Sequence, residues 1–169
     1  MLDELLESLE LGYFEVGEAF KGLADEHVWQ RPPGGLLSVG ELAGHIAYWE
    51  AVRLGYDGED GDSRPDLTKC KVKSLLVDER FRYYPSTLGQ GPSSEHRAMT
   101  AEQVAKELVR VHKESVAHFR ALNPDLTAKA PSWHSTYADY LRYAAFHVAY
   151  HTGQMYSARH LLGEETPDN

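Results

Sequence analysis

The stretch FHVAYHTGQ, residues 146–154, lies in a long helix-compatible run near the C-terminus and contains two histidines four residues apart. An α-helix turns about 100° per residue, so His147 and His151 lie about 40° apart on one face. Two imidazoles one turn apart can bind a single metal ion. A zinc-like site takes three protein ligands when it is catalytic and four when it is structural. At least one further ligand must therefore come from another part of the chain.

The candidate for the third ligand is His45, in the stretch SVGELAGHIAYWE, residues 38–50. Ser38 and Glu41 form the capping-box pattern that begins a helix, and Gly55 together with Asp57 and Gly58 ends it. No other histidine outside the pair lies in the middle of an apolar helical stripe. The predicted buried stripe of this second helix contains Leu42, His45, Trp49, Val52 and Tyr56.

Three further segments have the spacing of amphipathic helices. The first extends from Leu2 to about Ala24, and the third begins after the cap residue Thr100 and ends at Asn123. The fourth begins near Thr136 and extends to about Leu162. Residues 57–99 form a polar, Gly- and Pro-rich connection that is much longer than the usual link between helices.

Four amphipathic helices in one small domain predict an all-α four-helix bundle. We expect one domain over residues 1–163 and a loose C-terminal tail over residues 164–169. The long crossover between helices 2 and 3 permits an up-down-down-up order, in which helix 2 runs antiparallel to helix 4. This order brings His45 level with His147 and His151, whereas up-down-up-down would displace it by roughly 6 to 12 Å.

The histidine pair shares its helix face with apolar and aromatic residues, so both rings are expected to face the core. A metal ion would satisfy two buried neutral imidazoles at once. The alternative is a pair of ordinary buried histidines that form hydrogen bonds with neighbouring Tyr and Gln side chains. The other histidines are not predicted to be ligands: His160 faces away, His118 is alone on the inner stripe of helix 3, His112 is off that stripe, and His27, His96 and His134 lie in connections.

Composition excludes several classes of function. A formal charge of −9, with 26 acidic and 17 basic residues, argues against nucleic-acid and anionic-membrane partners. The N-terminus lacks the pattern of a signal peptide and no apolar run reaches the roughly 20 residues of a membrane span, so we expect a cytoplasmic protein. The single cysteine, Cys70, excludes an internal disulfide and is expected to be a free surface thiol. No phosphate-binding loop, zincin motif or nucleophile elbow is present.

The stretches HVWQRPPGG (27–35), SVGELAGHIAYWE (38–50), HVAYHTGQ (147–154) and RHLLG (159–163) together resemble the DinB/YfiT-like superfamily. The resemblance implies an up-down-down-up bundle, often a homodimer, with a divalent metal on three histidines, here His45, His147 and His151. Members with known activity include S-transferases that use low-molecular-weight thiols such as bacillithiol or mycothiol, and a maleylpyruvate isomerase.

The leading hypothesis is a metal-dependent enzyme that transfers a low-molecular-weight thiol, as co-substrate, to a small electrophilic molecule. Imidazole suits zinc, nickel, copper and iron; we expect zinc or nickel, with iron as the alternative. Tyr48, Tyr143 and Gln154 flank the predicted ligands and are candidates for orienting a substrate or bound water, although each is also compatible with core packing.

Two alternatives share the same ligands. One is a metal-dependent hydrolase. The other is a non-catalytic, stress-related bundle with a structural metal or none, whose dimer interface would include Phe146, Tyr150 and Tyr156.

Overall fold

The computed structural model describes residues 1–34, 37–57, 65–82, 91–131 and 134–167. Within these ranges the chain is helical and contains no strand, only an isolated bridge between Tyr56 and Cys70. The prediction of an all-α protein is therefore confirmed. The α-helices are α1 (Leu2–Phe20), α2 (Asp25–Val28), α3 (Val39–Leu54), α4 (Ser94–Arg97), α5 (Ala101–Leu122) and α6 (Tyr137–Leu161).

Of the four long helices, α1, α3, α5 and α6, the last three begin after a residue whose side chain accepts a hydrogen bond from the helix backbone. The predicted capping box at the start of α3 is confirmed, because Ser38 accepts from the Glu41 amide and Glu41 accepts from the Ser38 amide. Asn123 ends α5 in the left-handed region, with φ of 43°. The predicted end of the first helix at Ala24 was wrong. It ends at Phe20 because Gly22, with φ of 72°, turns the chain.

Helix α1 packs against both α5 and α6. Asp3 pairs with Arg120 and the Tyr13 ring stacks on His112, so α1 and α5 run in opposite directions. Helix α6 follows α1 in the same direction. The side chain of Arg159, which is buried at the end of α6, donates 2.9 Å to the Ala19 carbonyl at the end of α1.

Helix α3 packs against the other faces of α5 and α6. His112 of α5 contacts Glu50 of α3, and Ser115 lies beside Gly55 just after the end of α3, so these two helices run in the same direction. The contacts between α3 and α6 show that these two helices run in opposite directions. Early in α3, His45 meets the second half of α6 at His151, whereas the last turn of α3 meets the N-terminal half of α6.

Helix α3 is buried on all sides, not along one stripe as the apolar spacing suggested. Of its residues, only Arg53 is not buried. Gly40 and Gly44 lie one turn apart, and a Cβ atom at these positions would approach the rings of Trp29 and Phe81 to 2.6 Å and 2.5 Å. The two glycines thus form a flat strip on which both aromatic rings pack from outside the long helices.

The connection between α3 and α4 contributes to the core. Val72, Leu76 and Phe81 are buried, and the short 3₁₀ helix Glu79–Phe81 contacts α3. The prediction that Cys70 is a surface thiol was wrong: it is 2% exposed, because its backbone pairs with Tyr56 and brings it against the core. Residues 58–64 and 83–90 of the predicted crossover lie outside the described residues.

A buried contact between a histidine and a carboxylate links α3 to α5. The Nδ1 atom of His112 lies 2.7 Å from a Glu50 carboxylate oxygen, and its Nε2 atom lies 3.1 Å from Glu10. We expected His112 to lie off the inner stripe. It is buried because α5 contacts both α1 and α3, so its buried arc is wider than one stripe. Burial alone would lower the pKa of His112, but hydrogen bonds and charges from Glu50 and Glu10 outweigh that effect and raise it.

The C-terminal tail is held at its start, although we expected it to be loose from residue 164. Glu164 accepts from Arg159 at 3.1 Å and contacts His27 at 2.6 Å, and Thr166 is buried. The last two residues, 168 and 169, lie outside the described residues.

The described helices include none with the continuous apolar length that a bilayer crossing demands.

The Glu50–His112 pair predicts a pH-dependent contribution to stability. The pKa of His112 is raised in the folded state, so the pair's contribution is complete below the unfolded-state pKa of about 6.5 and is lost as pH rises through the folded-state pKa. At pH 6, Glu50→Gln should cost about 1.5 to 3 kcal/mol, the size of a hydrogen bond to a charged group.

Urea unfolding of metal-free wild type and Glu50→Gln between pH 6 and pH 9 measures this difference. It should shrink toward pH 9, whereas a difference that stays constant with pH would contradict the assignment of a charged His112.

Candidate metal centre

Three buried histidines from two helices meet at the contact between α3 and α6. His45, His147 and His151 each offer one ring nitrogen, and these three atoms lie within 4.8 Å of one another. The Nε2 atoms of His45 and His147 are 3.3 Å apart. The antiparallel course of the two helices brings these distant parts of the sequence to the same level, and the group can hold a metal ion.

Hydrogen bonds at the outer nitrogens orient two of the three rings. The Nδ1 atom of His45 lies 2.7 Å from the Phe81 carbonyl oxygen, and Nδ1 of His151 lies 2.7 Å from Oε1 of Gln154. Both partners are acceptors, so both Nδ1 atoms carry the proton and both Nε2 atoms present a lone pair. Such an acceptor behind each ring is the usual support of a metal-binding histidine.

The surroundings keep all three imidazoles neutral. Burial, followed by the nearby His151, lowers the pKa of His45 to about 3. Burial and the positive charge of Arg53 lower the pKa of His147 strongly, and burial also lowers that of His151. A metal ligand must be unprotonated, so this environment leaves the nitrogens available for coordination through the neutral pH range.

The spacing of the donors fits a metal ion. Two nitrogen ligands at about 2.0 to 2.1 Å from a tetrahedral ion lie about 3.3 Å apart. The observed distance of 3.3 Å between Nε2 of His45 and Nε2 of His147 equals that edge. Three imidazoles also match a catalytic zinc-type donor set, which leaves a fourth position for water or substrate.

Aromatic and cationic side chains extend the site along the contact between α3 and α6, which we call the seam. The guanidinium carbon of Arg53 lies 4.9 Å from the ring centroids of both Trp49 and Tyr143. The ring of Tyr143 lies 6.2 Å from that of His147, and that of Trp49 lies 6.4 Å from that of His45. A path of aromatic contacts therefore connects the histidine cluster to Arg53.

The three candidates for orienting a substrate or water have different contacts. Gln154 forms a hydrogen bond with His151, one of the predicted metal ligands. Tyr143 packs near His147 and under Arg53. The hydroxyl of Tyr48 donates 3.1 Å to Glu79 of the 3₁₀ helix, and burial followed by the charge of Glu79 raises its pKa.

Three contributors to the site were missed in the sequence. Phe81 supplies a carbonyl from a connection without helical periodicity, Gly44 makes room for its ring, and Arg53 stands at the end of the seam. Gly44 and His45 are adjacent, and Arg53 lies two turns beyond His45 on the helix. The spacing of four residues between His45, Trp49 and Arg53 places them on one helix face, and this pattern could have predicted that Arg53 lies near the site.

A family model described as the DinB superfamily matches residues 9–155, which include all three histidines. The chain belongs to the DinB superfamily. No curated protein and no solved structure matches it significantly. This DinB-superfamily chain thus combines family membership with a buried three-histidine cluster that can bind a metal ion.

The contact between Gly44 and Phe81 predicts a loss of metal affinity in Gly44→Ala. A Cβ atom at this position would lie 2.5 Å from the Phe81 ring, so the ring and its carbonyl must move away from His45. Loss of an acceptor behind a metal-binding histidine typically costs about 10- to 100-fold in affinity. Competition with a chromophoric chelator measures this loss.

Gly17→Ala is the matched control, because a Cβ atom there meets nothing within 4 Å. If Gly44→Ala folds and keeps wild-type zinc affinity, the Phe81 carbonyl does not support the site.

Proposed function

We propose that this protein is a metal-dependent enzyme in which His45, His147 and His151 hold a divalent ion, zinc or nickel before iron. We further propose that it transfers a low-molecular-weight thiol to a small electrophilic molecule. The observation that carries the metal site is the convergence of three neutral ring nitrogens, two of which have their second nitrogen held by an acceptor.

The proposed architecture is an up-down-down-up four-helix bundle. It is supported by the parallel contacts of α1 with α6 and of α3 with α5, and by the antiparallel contacts of α1 with α5 and of α3 with α6. In such a bundle the metal ligands come from facing helices, here the antiparallel α3 and α6.

The residues of this chain have defined tasks in the proposed reaction. When bound, a divalent ion favours the thiolate over the thiol and lowers the pKa of bound water toward about 7. Phe81 and Gln154 hold the His45 and His151 rings with Nε2 turned inward. Burial lowers the pKa of His45 and His147 and so keeps these imidazoles unprotonated.

The reacting thiol is expected to come from a second small molecule. The only cysteine of the chain, Cys70, is 2% exposed, and burial raises its pKa to about 11. A buried protonated thiol is a weak nucleophile, so the protein's own sulfur does not serve this chemistry.

Two alternatives use the same ligands. A hydrolase would use water in place of the thiol. A non-catalytic bundle with a structural ion is favoured by one observation, the burial of the cluster, since His45, His147 and His151 are 9%, 7% and 4% exposed.

We also propose a homodimer, with Phe146 and Tyr150 of α6 in its interface. These two rings are 60% and 52% exposed and stack with centroids 5.9 Å apart, so they present an apolar surface next to the site helix. Tyr156, our third interface candidate, is partly buried and its hydroxyl donates to the Glu15 carbonyl at 3.3 Å.

Replacement of both histidines of α6 tests the metal site. The double variant His147→Ala, His151→Ala should lose stoichiometric zinc or nickel, because one imidazole cannot hold the ion alone. Metal analysis of purified protein measures the loss. His160→Ala is the control, since His160 lies on the same helix and is exposed. Wild-type metal content in the double variant would show that the ligands are misassigned.

Chelation tests whether the ion is catalytic. Turnover of a thiol such as bacillithiol or mycothiol with a generic electrophile should require zinc or nickel and should return when the metal is restored. The melting temperature should fall only modestly on chelation, because packed helices carry most of the stability. A large fall in melting temperature together with no turnover for any thiol and metal would favour the structural-ion bundle.

A further inference from the structure

Arg53 is unusual among the residues of α3. Every other residue of this helix is buried, yet Arg53 is partly open to solvent. It follows His45 and Trp49 at successive intervals of four residues, so the three side chains lie on neighbouring turns of one face. Arg53 therefore stands where the histidine seam reaches the surface.

Two aromatic rings hold the guanidinium in place. Its central carbon lies 4.9 Å from the Trp49 centroid on its own helix and 4.9 Å from the Tyr143 centroid on α6. Guanidinium groups stack on aromatic faces in this way and keep the N–H groups at their edge free to donate. The Nε atom of Arg53 is buried and has no hydrogen-bond partner among the residues that the structure describes.

Within the described part of the chain, Arg53 also has no carboxylate as a counter-ion. Seven other arginines pair with a carboxylate within the part of the chain that the structure describes. Among the same described residues, no carboxylate lies within ion-pair distance of Arg53, although the chain contains 26 acidic residues. A positioned, partly buried guanidinium without a partner is suited to bind an anion from solution.

The histidine cluster strengthens this expectation. Arg53 is close enough that its charge contributes to the lowered pKa of all three imidazoles. A divalent ion on neutral ligands would add further positive charge to the same seam, so an anionic group between the two would be attracted by both. Arg53 lies in the last turn of α3, where the negative end of the helix dipole disfavours a phosphate dianion more than a singly charged carboxylate.

We infer that Arg53 is the anion-binding residue of the three-histidine site and that the small molecule reaching this site carries a carboxylate. This inference rests on the proposed function for the ion, and it adds the chemical class of the ligand. The guanidinium binds the carboxylate through paired N–H donors while the opposite end of the molecule extends toward the histidines.

Three thiols of matched length test the inference by binding rather than by turnover. 3-Mercaptopropionate, 2-mercaptoethanol and cysteamine present an anionic, a neutral and a cationic end group on the same two-carbon thiol. Titration of each into cobalt-loaded protein gives its dissociation constant from the visible spectrum of the ion. The comparison uses wild type, Arg53→Met, which keeps an apolar chain against the rings, and Arg142→Gln, which removes an exposed arginine of α6.

In wild type and Arg142→Gln, we expect 3-mercaptopropionate to bind about 10- to 100-fold more tightly than cysteamine, the range for hydrogen bonds between charged groups. Arg53→Met should reduce this preference to the smaller part that the charge of the ion alone supports, while leaving cobalt stoichiometry unchanged. Arg53→Lys should restore part of it, because a lysine supplies the charge without the paired donors.

An unchanged preference in Arg53→Met, or no preference in wild type, would overturn the inference while leaving the metal site intact. Failure of the wild type to bind cobalt, measured separately by metal analysis, would refute the proposed metal site and this inference with it.

Discussion

The antiparallel contact between α3 and α6 is the constraint on which the rest of the site depends. It brings three neutral imidazoles together in the core, with Nε2 of His45 and Nε2 of His147 only 3.3 Å apart. The proton of His45 is on Nδ1, where the Phe81 carbonyl accepts it, so its Nε2 lone pair faces its neighbours. Converging lone pairs in an apolar environment are stabilised by a cation or a shared proton between them. The packing of the two helices therefore creates a site that favours coordination.

The connection between α3 and α4 belongs to this constraint. Gly40 and Gly44 remove side chains from one side of α3, and Trp29 and Phe81 fill the resulting strip with aromatic rings. This close approach buries the helix all round and also delivers the Phe81 carbonyl to His45. Packing and ligand orientation thus have the same cause, so a residue that adds volume to the strip affects both.

Local sequence patterns predicted the four long helices and the caps that begin three of them, because capping boxes and left-handed stops are decided by residues close in sequence. They also suggested which histidines to compare, since the interval between His147 and His151 is a property of one helix. The burial of His112 and Cys70 and the carbonyl of Phe81 were not predictable in this way. Each depends on which other element of the chain packs over that residue. The long connection has no helical periodicity, so no local pattern in the sequence predicts which surface it covers.

The seam between α3 and α6 separates two kinds of recognition. Its buried part contains neutral imidazoles whose outer nitrogens donate to acceptors. Imidazoles of this kind suit transition-metal ions such as zinc or nickel, and their lowered pKa keeps them unprotonated. Its outer part contains Arg53, a fixed positive charge between two aromatic faces that suits an anion. The two parts share a helix face but no ligand atoms, so under the proposed function the histidines would hold the ion and Arg53 would bind the small molecule. A substitution at Arg53 therefore removes no ligand atom of the proposed metal site, and it acts on the three histidines only through the change of charge.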